Sequence, residues 1–151
     1  DFPIGLAFTW MTGTSFRFVG KDTLFKGPWG RLFRHWGGIP VNRDAPGGLL
    51  ENLAASFAAE PEFRLGITPE GTRAHAAHWK SGFYRLARAA NVPVALAFID
   101  YARREVGVGA VITMTGDPDA DIARLAAFYA DKRGRHPERM GPVRFPDDFV
   151  P

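Results

Sequence analysis

The sequence predicts a single α/β domain in which a central, mostly parallel or mixed sheet is flanked by helices. Two observations carry this. Short apolar runs alternate with stretches of helical periodicity along the chain. A length of 151 residues also suits one domain with a core of its own. No internal repeat and no domain boundary interrupts the pattern. The domain is therefore read over residues 1–151, with an irregular tail over 134–151 that is rich in proline and charge.

The elements follow in order. Residues 4–12 are apolar and read as the end of a helix or a short strand. Residues 15–19, Ser-Phe-Arg-Phe-Val, alternate as a strand does and stop at Gly20. Residues 38–41 form a second extended piece. Residues 46–60 read as a helix with Leu49, Leu50, Leu53 and Phe57 on one face, and Pro61 stops it. Residues 63–68 read as a strand running into Glu70. Residues 79–90 read as a helix with Trp79, Phe83, Leu86 and Ala90 inward. Residues 92–101 make the strongest strand, apolar on both faces and so expected at the centre of the sheet. Residues 106–114 close the sheet. Asp117-Pro118 offers an N-cap and a proline at the first helical position for a helix to about residue 132, with Ile122, Leu125 and Phe128 or Tyr129 inward.

Composition removes several function classes. The chain has no cysteine, which excludes disulfides and thiolate metal sites. A net charge of +3 suits an anionic partner such as a membrane surface, a phosphorylated substrate or an acidic carrier protein. There is no Lys/Arg run and no DNA-reading motif, so no nucleic-acid partner is expected. The longest apolar run, residues 92–99, is broken by Pro93 and falls short of the roughly 18 residues of a membrane span. No signal peptide is visible.

The chemistry gathers in a few segments. In Glu70-Gly71-Thr72-Arg73 a strand runs into a glycine turn, where backbone N–H groups can form an anion-binding nest. Arg73 can fork onto two phosphate oxygens, Thr72 can donate to the same group, and Glu70 can accept from a substrate hydroxyl. Taken alone, four polar residues also describe an ordinary surface turn. Gly38-Ile39-Pro40-Val41-Asn42-Arg43 delivers a second arginine at a strand end. Arg43 is either a solvated charge or, if it converges with Arg73, half of a phosphate clamp.

Over residues 21–36, Phe25, Trp29, Leu32, Phe33 and Trp36 recur at helical spacing with Lys26, Arg31 and Arg34 between them. This is either a core helix with solvated charges or a basic amphipathic segment that puts Phe25, Trp29, Phe33 and Trp36 against a membrane or an acyl chain. Gly27-Pro28 and Gly30 weaken its helical character. His75 and His78 lack a third ligand of the usual kind, so a loop or substrate-adjacent role is expected there and no metal. None of Ser15, Ser56 and Ser81 sits in a G-x-S-x-G elbow.

In order and spacing these segments resemble the lysophosphatidic acid acyltransferases (1-acyl-sn-glycerol-3-phosphate O-acyltransferases) and their glycerolipid relatives. That family has four ordered blocks: a His-x4-Asp pair, a Gly-Ile-x-Val-x-Arg-like strand, a Pro-Glu-Gly-Thr-Arg turn, and an apolar strand opening with Val-Pro-Val. Residues 38–43 match the second block, residues 69–73 the third in full, and Val92-Pro93-Val94 the fourth, without its later proline. The lead-in over residues 21–30 also looks like the family's stretch between blocks one and two. Asp1 falls where the aspartate of block one belongs, which places the histidine upstream of Asp1. The chain as it stands is then expected to show little or no turnover.

The resemblance implies one-step acyl transfer from acyl-CoA or acyl carrier protein, as co-substrate, to the free hydroxyl of a lysophospholipid such as 1-acyl-glycerol-3-phosphate. Asp1 would orient the catalytic histidine. Arg43, Arg73, Thr72 and Gly71 would hold the phosphate, and Glu70 the glycerol. No cofactor or metal is implied, and the protein would sit in the cytoplasm, peripheral on the inner face of the cytoplasmic membrane. Two alternatives stand beside this: a different acceptor (glycerol-3-phosphate, another lysophospholipid or an amino-lipid), and a non-catalytic phospholipid-binding, membrane-associating domain.

Overall fold

In the computed structural model the residues described are 2–41, 48–72 and 74–150, with the side chains of Phe2 and Leu6 left aside. They form an α/β fold of two compact units, Gly5–Ile67 and Thr68 onward, the second also taking in the first residues of the chain.

Helix α1 (Phe2–Thr12), most of which lies in the first unit, carries no charged residue in its first or last turn. Strand β1 (Arg17–Lys21) leads through a 3-10 turn (Asp22–Phe25) and α2 (Pro28–His35) into β2 (Gly38–Val41). After α3 (Leu49–Ala59) comes the two-residue strand β3, Leu65–Gly66. The sheet order is β2-β1-β3 and both pairings are parallel, with Phe18 opposite Gly38 and Gly66. Parallel neighbours need a crossover, which α2 supplies on one side of β1 and α3 on the other.

Phe25 explains why the chain between β1 and β2 is so glycine-rich. Its ring lies on the strands: a Cβ on Gly38 would stand 2.7 Å from the ring, and one on Gly20 2.9 Å. A Cβ on Gly30 would run into the Phe25 carbonyl oxygen, so α2 can seat against the turn only with glycine there. Phe25 is accordingly 4% exposed. The Arg34 guanidinium covers the outer side of the ring, 5.6 Å from its centroid, and donates to the Phe25 carbonyl oxygen. Beneath α3, Leu53 is buried and Phe57 meets Phe63 edge to face at 4.7 Å.

In the second unit α4 (Gly82–Ala89) is followed by the antiparallel pair β4 (Val94–Asp100) and β5 (Glu105–Ile112), and by α5 (Pro118–Tyr129). Asp117 caps α5, its carboxylate accepting from the Asp119 and Ala120 N–H groups at 3.1 Å. Buried Trp79, Leu96 and Leu125 form one part of the core; Tyr84, Ala87, Met114 and Phe145 form another.

Some expectations change. The helix expected from residue 79 begins at Gly82; ahead of it the Trp79 and Lys80 N–H groups donate to the Arg144 and Pro69 carbonyls at 2.8 Å. The strand expected at the sheet centre instead pairs only with β5 among the described residues, in a two-stranded ladder. Its apolar run is rich in alanine, and Ala95 and Ala97 face solvent. The tail is irregular apart from a 3-10 turn at Pro137–Arg139, yet it delivers buried Phe145 to the core.

Candidate active site

The third-block turn is built from its own backbone. Thr68, Pro69, Glu70 and Gly71 close on a hydrogen bond from the Gly71 N–H to the Thr68 carbonyl at 3.1 Å. Proline is pre-set for the second position of such a turn. Gly71 stands at φ +65°, a region that costs other L-residues roughly 1–2 kcal/mol. Thr72 Oγ1 then accepts from the Ala74 N–H at 3.1 Å. That bond uses an acceptor site of the hydroxyl and leaves its O–H to donate elsewhere.

The turn is fastened from outside. The Lys80 N–H donates to the Pro69 carbonyl at 2.8 Å. Its side chain folds back over the turn, so that a Cβ on Gly71 would stand 2.8 Å from Lys80 Cε and 2.9 Å from Nζ. Among the described residues no carboxylate forms an ion pair with Lys80, although Glu70 is next to the glycine it covers.

Glu70, half-buried, edges a cleft of about 360 Å³ whose walls are Trp79, Tyr129, Met140 and Val143 with small residues between. This is the lower end of the size of small-molecule sites. Trp79 is 8% exposed, sits edge to face with Phe83 and Tyr129, and its Nε1 has no hydrogen-bond partner among the described residues. Tyr129 donates to the Ala97 carbonyl at 2.8 Å, and burial pushes its phenol up to about 12. The far wall is the tail: Arg144 accepts from the Trp79 N–H at 2.8 Å and donates from Nε to the Ala77 carbonyl at 3.2 Å.

Of the residues read as a site, Glu70, Gly71 and Thr72 are consecutive in this turn. Asp1, Arg43 and Arg73 lie outside the described residues, and β2 ends at Val41, two positions before Arg43. The four aromatics of residues 21–36 divide: Phe25 is buried, Phe33 and Trp36 are half-buried, and Trp29 is 68% exposed. His75 is exposed, and the ring of His78 lies 3.3 Å from the Trp79 carbonyl oxygen. Among the described residues no group of three or more His, Asp or Glu side chains could hold a metal ion. Sequence reading overlooked Lys80, because a single lysine ahead of a helix carries no pattern; the signal was a lysine facing a glycine across a turn, which only tertiary structure reveals.

Among the described residues no helix is long and apolar enough to cross a membrane. The model of the family described as Acyltransferase matches residues 2–98, a stretch that holds β1, the whole of β2 and the Glu70 turn. Comparison with curated proteins and with solved structures finds no match.

Proposed function

The chain belongs to the acyltransferase family, and we propose that it moves a fatty acyl group from acyl-CoA or acyl carrier protein to the free hydroxyl of a lysophospholipid such as 1-acyl-glycerol-3-phosphate, in phospholipid biosynthesis. The observation that carries the reading is the turn at residues 68–72. It has the first four residues of the third block, a glycine in the left-handed region, a threonine hydroxyl with its proton to give, and a carboxylate at the edge of an apolar cleft.

The chemistry divides among these groups. The histidine of a His-x4-Asp pair takes the proton from the acceptor hydroxyl, and Asp1 holds that imidazole in the useful tautomer. The hydroxyl oxygen attacks the thioester carbonyl, the new C–O ester bond forms, the C–S bond breaks, and the thiolate leaves with the proton. A positioned base contributes about 10²–10⁴ in rate. Arg43, Arg73, Thr72 and the Gly71 turn hold the phosphate while Glu70 accepts from the glycerol, which converts a bimolecular encounter into an oriented one. The reaction needs no metal or other cofactor.

A peripheral position on the inner face of the cytoplasmic membrane accompanies this reading. Trp29, and Trp10 and Met11 on the uncharged α1, are exposed and supply apolar contacts at headgroup depth.

The test is turnover of a soluble short-chain lysophosphatidic acid with acyl-CoA and with acyl carrier protein, with and without an upstream segment that sets a histidine in His-x4-Asp spacing to Asp1. Phosphatidic acid formed only with the pair is the expected result. Equal turnover in both would place the base elsewhere, and lipid binding without turnover in either would leave a binding domain.

A further inference from the structure

The cleft beside Glu70 is larger than the turn chemistry requires. It measures about 360 Å³ and is walled by Trp79, Tyr129, Met140 and Val143, with Ala126 and Ala130 between them. Apart from Glu70 and Trp79 these residues lie beyond residue 98, outside the stretch that the family model matches, so no block assigns them a role. The far wall is pinned in place. The Arg144 carbonyl accepts from the Trp79 N–H, the Arg144 guanidinium donates to the Ala77 carbonyl, and Gly141 sits against the Ala76 carbonyl where a Cβ would collide.

The polar groups of this cleft are few. Trp79 is 8% exposed, and its Nε1 is buried with no hydrogen-bond partner among the described residues. An unpaired buried donor costs about 1–3 kcal/mol, which an acceptor oxygen arriving beside the ring would offset. Tyr129 donates its O–H to the Ala97 carbonyl and keeps acceptor capacity on the same oxygen. The walls thus offer one N–H donor and one oxygen acceptor, and the one charged residue among them is Glu70 at the edge. A plain alkyl chain fills such a space but meets neither polar group. A secondary amide on a slim aliphatic chain meets both: its carbonyl accepts from the indole and its N–H donates to the phenol oxygen. The pantetheine arm is a chain of this kind, and acyl-CoA and acyl carrier protein carry it alike.

We infer that this cleft binds the pantetheine arm of the acyl donor, with Trp79 Nε1 donating to an amide carbonyl of the arm. Glu70 edges the cleft, so the sulfur end of the arm emerges at the turn. Met140, unbranched and 38% exposed, is the part of the wall that yields as the arm enters. The inference rests on the proposed acyl transfer for the identity of the donor; the cleft and its unpaired indole stand without it.

The experiment takes the full chain with a histidine set upstream in His-x4-Asp spacing to Asp1. Ala130→Leu fills the cleft from the exposed end of α5, where the backbone is helical and accepts leucine. Trp79→Phe keeps an aromatic wall and removes the N–H. The readouts are calorimetric binding of S-acetyl-pantetheine, and steady-state kinetics with acyl-CoA, with the same acyl group on acyl carrier protein, and with short-chain lysophosphatidic acid. Ala130→Leu should weaken S-acetyl-pantetheine binding about tenfold or more, and Trp79→Phe about five- to tenfold, the size of one hydrogen bond. Both should raise the KM for the two donors alike and leave the KM for lysophosphatidic acid within threefold. No binding of S-acetyl-pantetheine to the wild type, or binding unchanged in either folded variant, overturns the inference. So does a rise confined to acyl-CoA, which would give the cleft to the nucleotide, or one confined to lysophosphatidic acid, which would give it to the chain of the acceptor. If Trp79→Phe fails to fold by its thermal transition, Ala130→Leu, outside the buried core, carries the test. Failure of the acyl-transfer reading shows separately, as S-acetyl-pantetheine binding that Ala130→Leu weakens without any transfer to lysophosphatidic acid.

Discussion

Tyr84 and Asp121, both 0% exposed, meet with the phenol donating to the carboxylate Oδ2 at 3.2 Å. Burial and the adjoining carboxylate both push the Tyr84 phenol up. Asp121 also accepts from the Thr115 N–H at 2.8 Å, the Thr115 hydroxyl at 3.1 Å and the Gly116 N–H at 3.3 Å, so it ties α4 and the β5–α5 connection to α5. Tyr84→Phe removes one donor of several and should cost about 1 kcal/mol. Asp121→Ala leaves every one of those donors without its acceptor and should cost about 3–5 kcal/mol. Urea denaturation followed by fluorescence checks the order; a larger loss in Tyr84→Phe would show that the carboxylate is not the hub.

Asp100, at the end of β4, gives an acid-sensitive point. The Arg103 N–H is the chief cause that holds its carboxyl below the usual range, and the Ala102 N–H and the Arg103 guanidinium add to it. A carboxyl whose folded value is lowered stabilises the fold above the unfolded value of about 4 and loses that contribution as pH falls through the folded one. The melting temperature should therefore drop between pH 5 and pH 2 by more in the wild type than in Asp100→Asn. Parallel curves would mean that the turn contributes no acid sensitivity.

Tyr129 gives the opposite limb. Its phenol is raised from 10.0 to about 12 by burial. The unfolded chain loses this proton first, so stability is full below pH 10 and falls as pH rises towards 12. Urea midpoints at pH 9 and pH 11.5 should differ less in Tyr129→Phe than in the wild type. The substitution should also cost about 1 kcal/mol at pH 7, for the bond to the Ala97 carbonyl.

In the first unit Phe25 and Trp29 should separate stability from the proposed membrane contact. Phe25→Ala should cost about 3–5 kcal/mol, and Gly30→Ala about 1–3 kcal/mol because its methyl meets the Phe25 carbonyl. Trp29→Ser should leave the melting temperature within a few degrees and reduce sedimentation with anionic vesicles several-fold. Vesicle binding that survives Trp29→Ser would move the contact to α1.

What could be read from sequence follows the range of the interactions. β2 at Gly38–Val41 and the α5 start at Asp117-Pro118 were legible, because a glycine step, alternation and a cap act within a few residues. The turn at Glu70-Gly71-Thr72 was legible for the same reason. The start of α4 was not: periodicity extends back to Trp79, whereas the helix begins at Gly82 and the Trp79 and Lys80 N–H groups bond to Arg144 and Pro69, partners that no local pattern shows. An apolar run such as Val92 to Ile99 looks the same whether it is central or paired once, since alanine is at ease on either side. The burial of Phe25 was hidden by its place among exposed neighbours, where three glycines rather than a hydrophobic period make the room.

The stretch shared with the family ends at residue 98, inside β4. The layer around Trp79 does not end there: Leu125, Tyr129 and Val143 complete it, and Arg144 holds its backbone. Homology and cooperative folding thus draw their borders in different places. A fragment excised at the shared boundary would lose β5 and leave an indole and a strand edge bare, and would be expected to aggregate rather than fold.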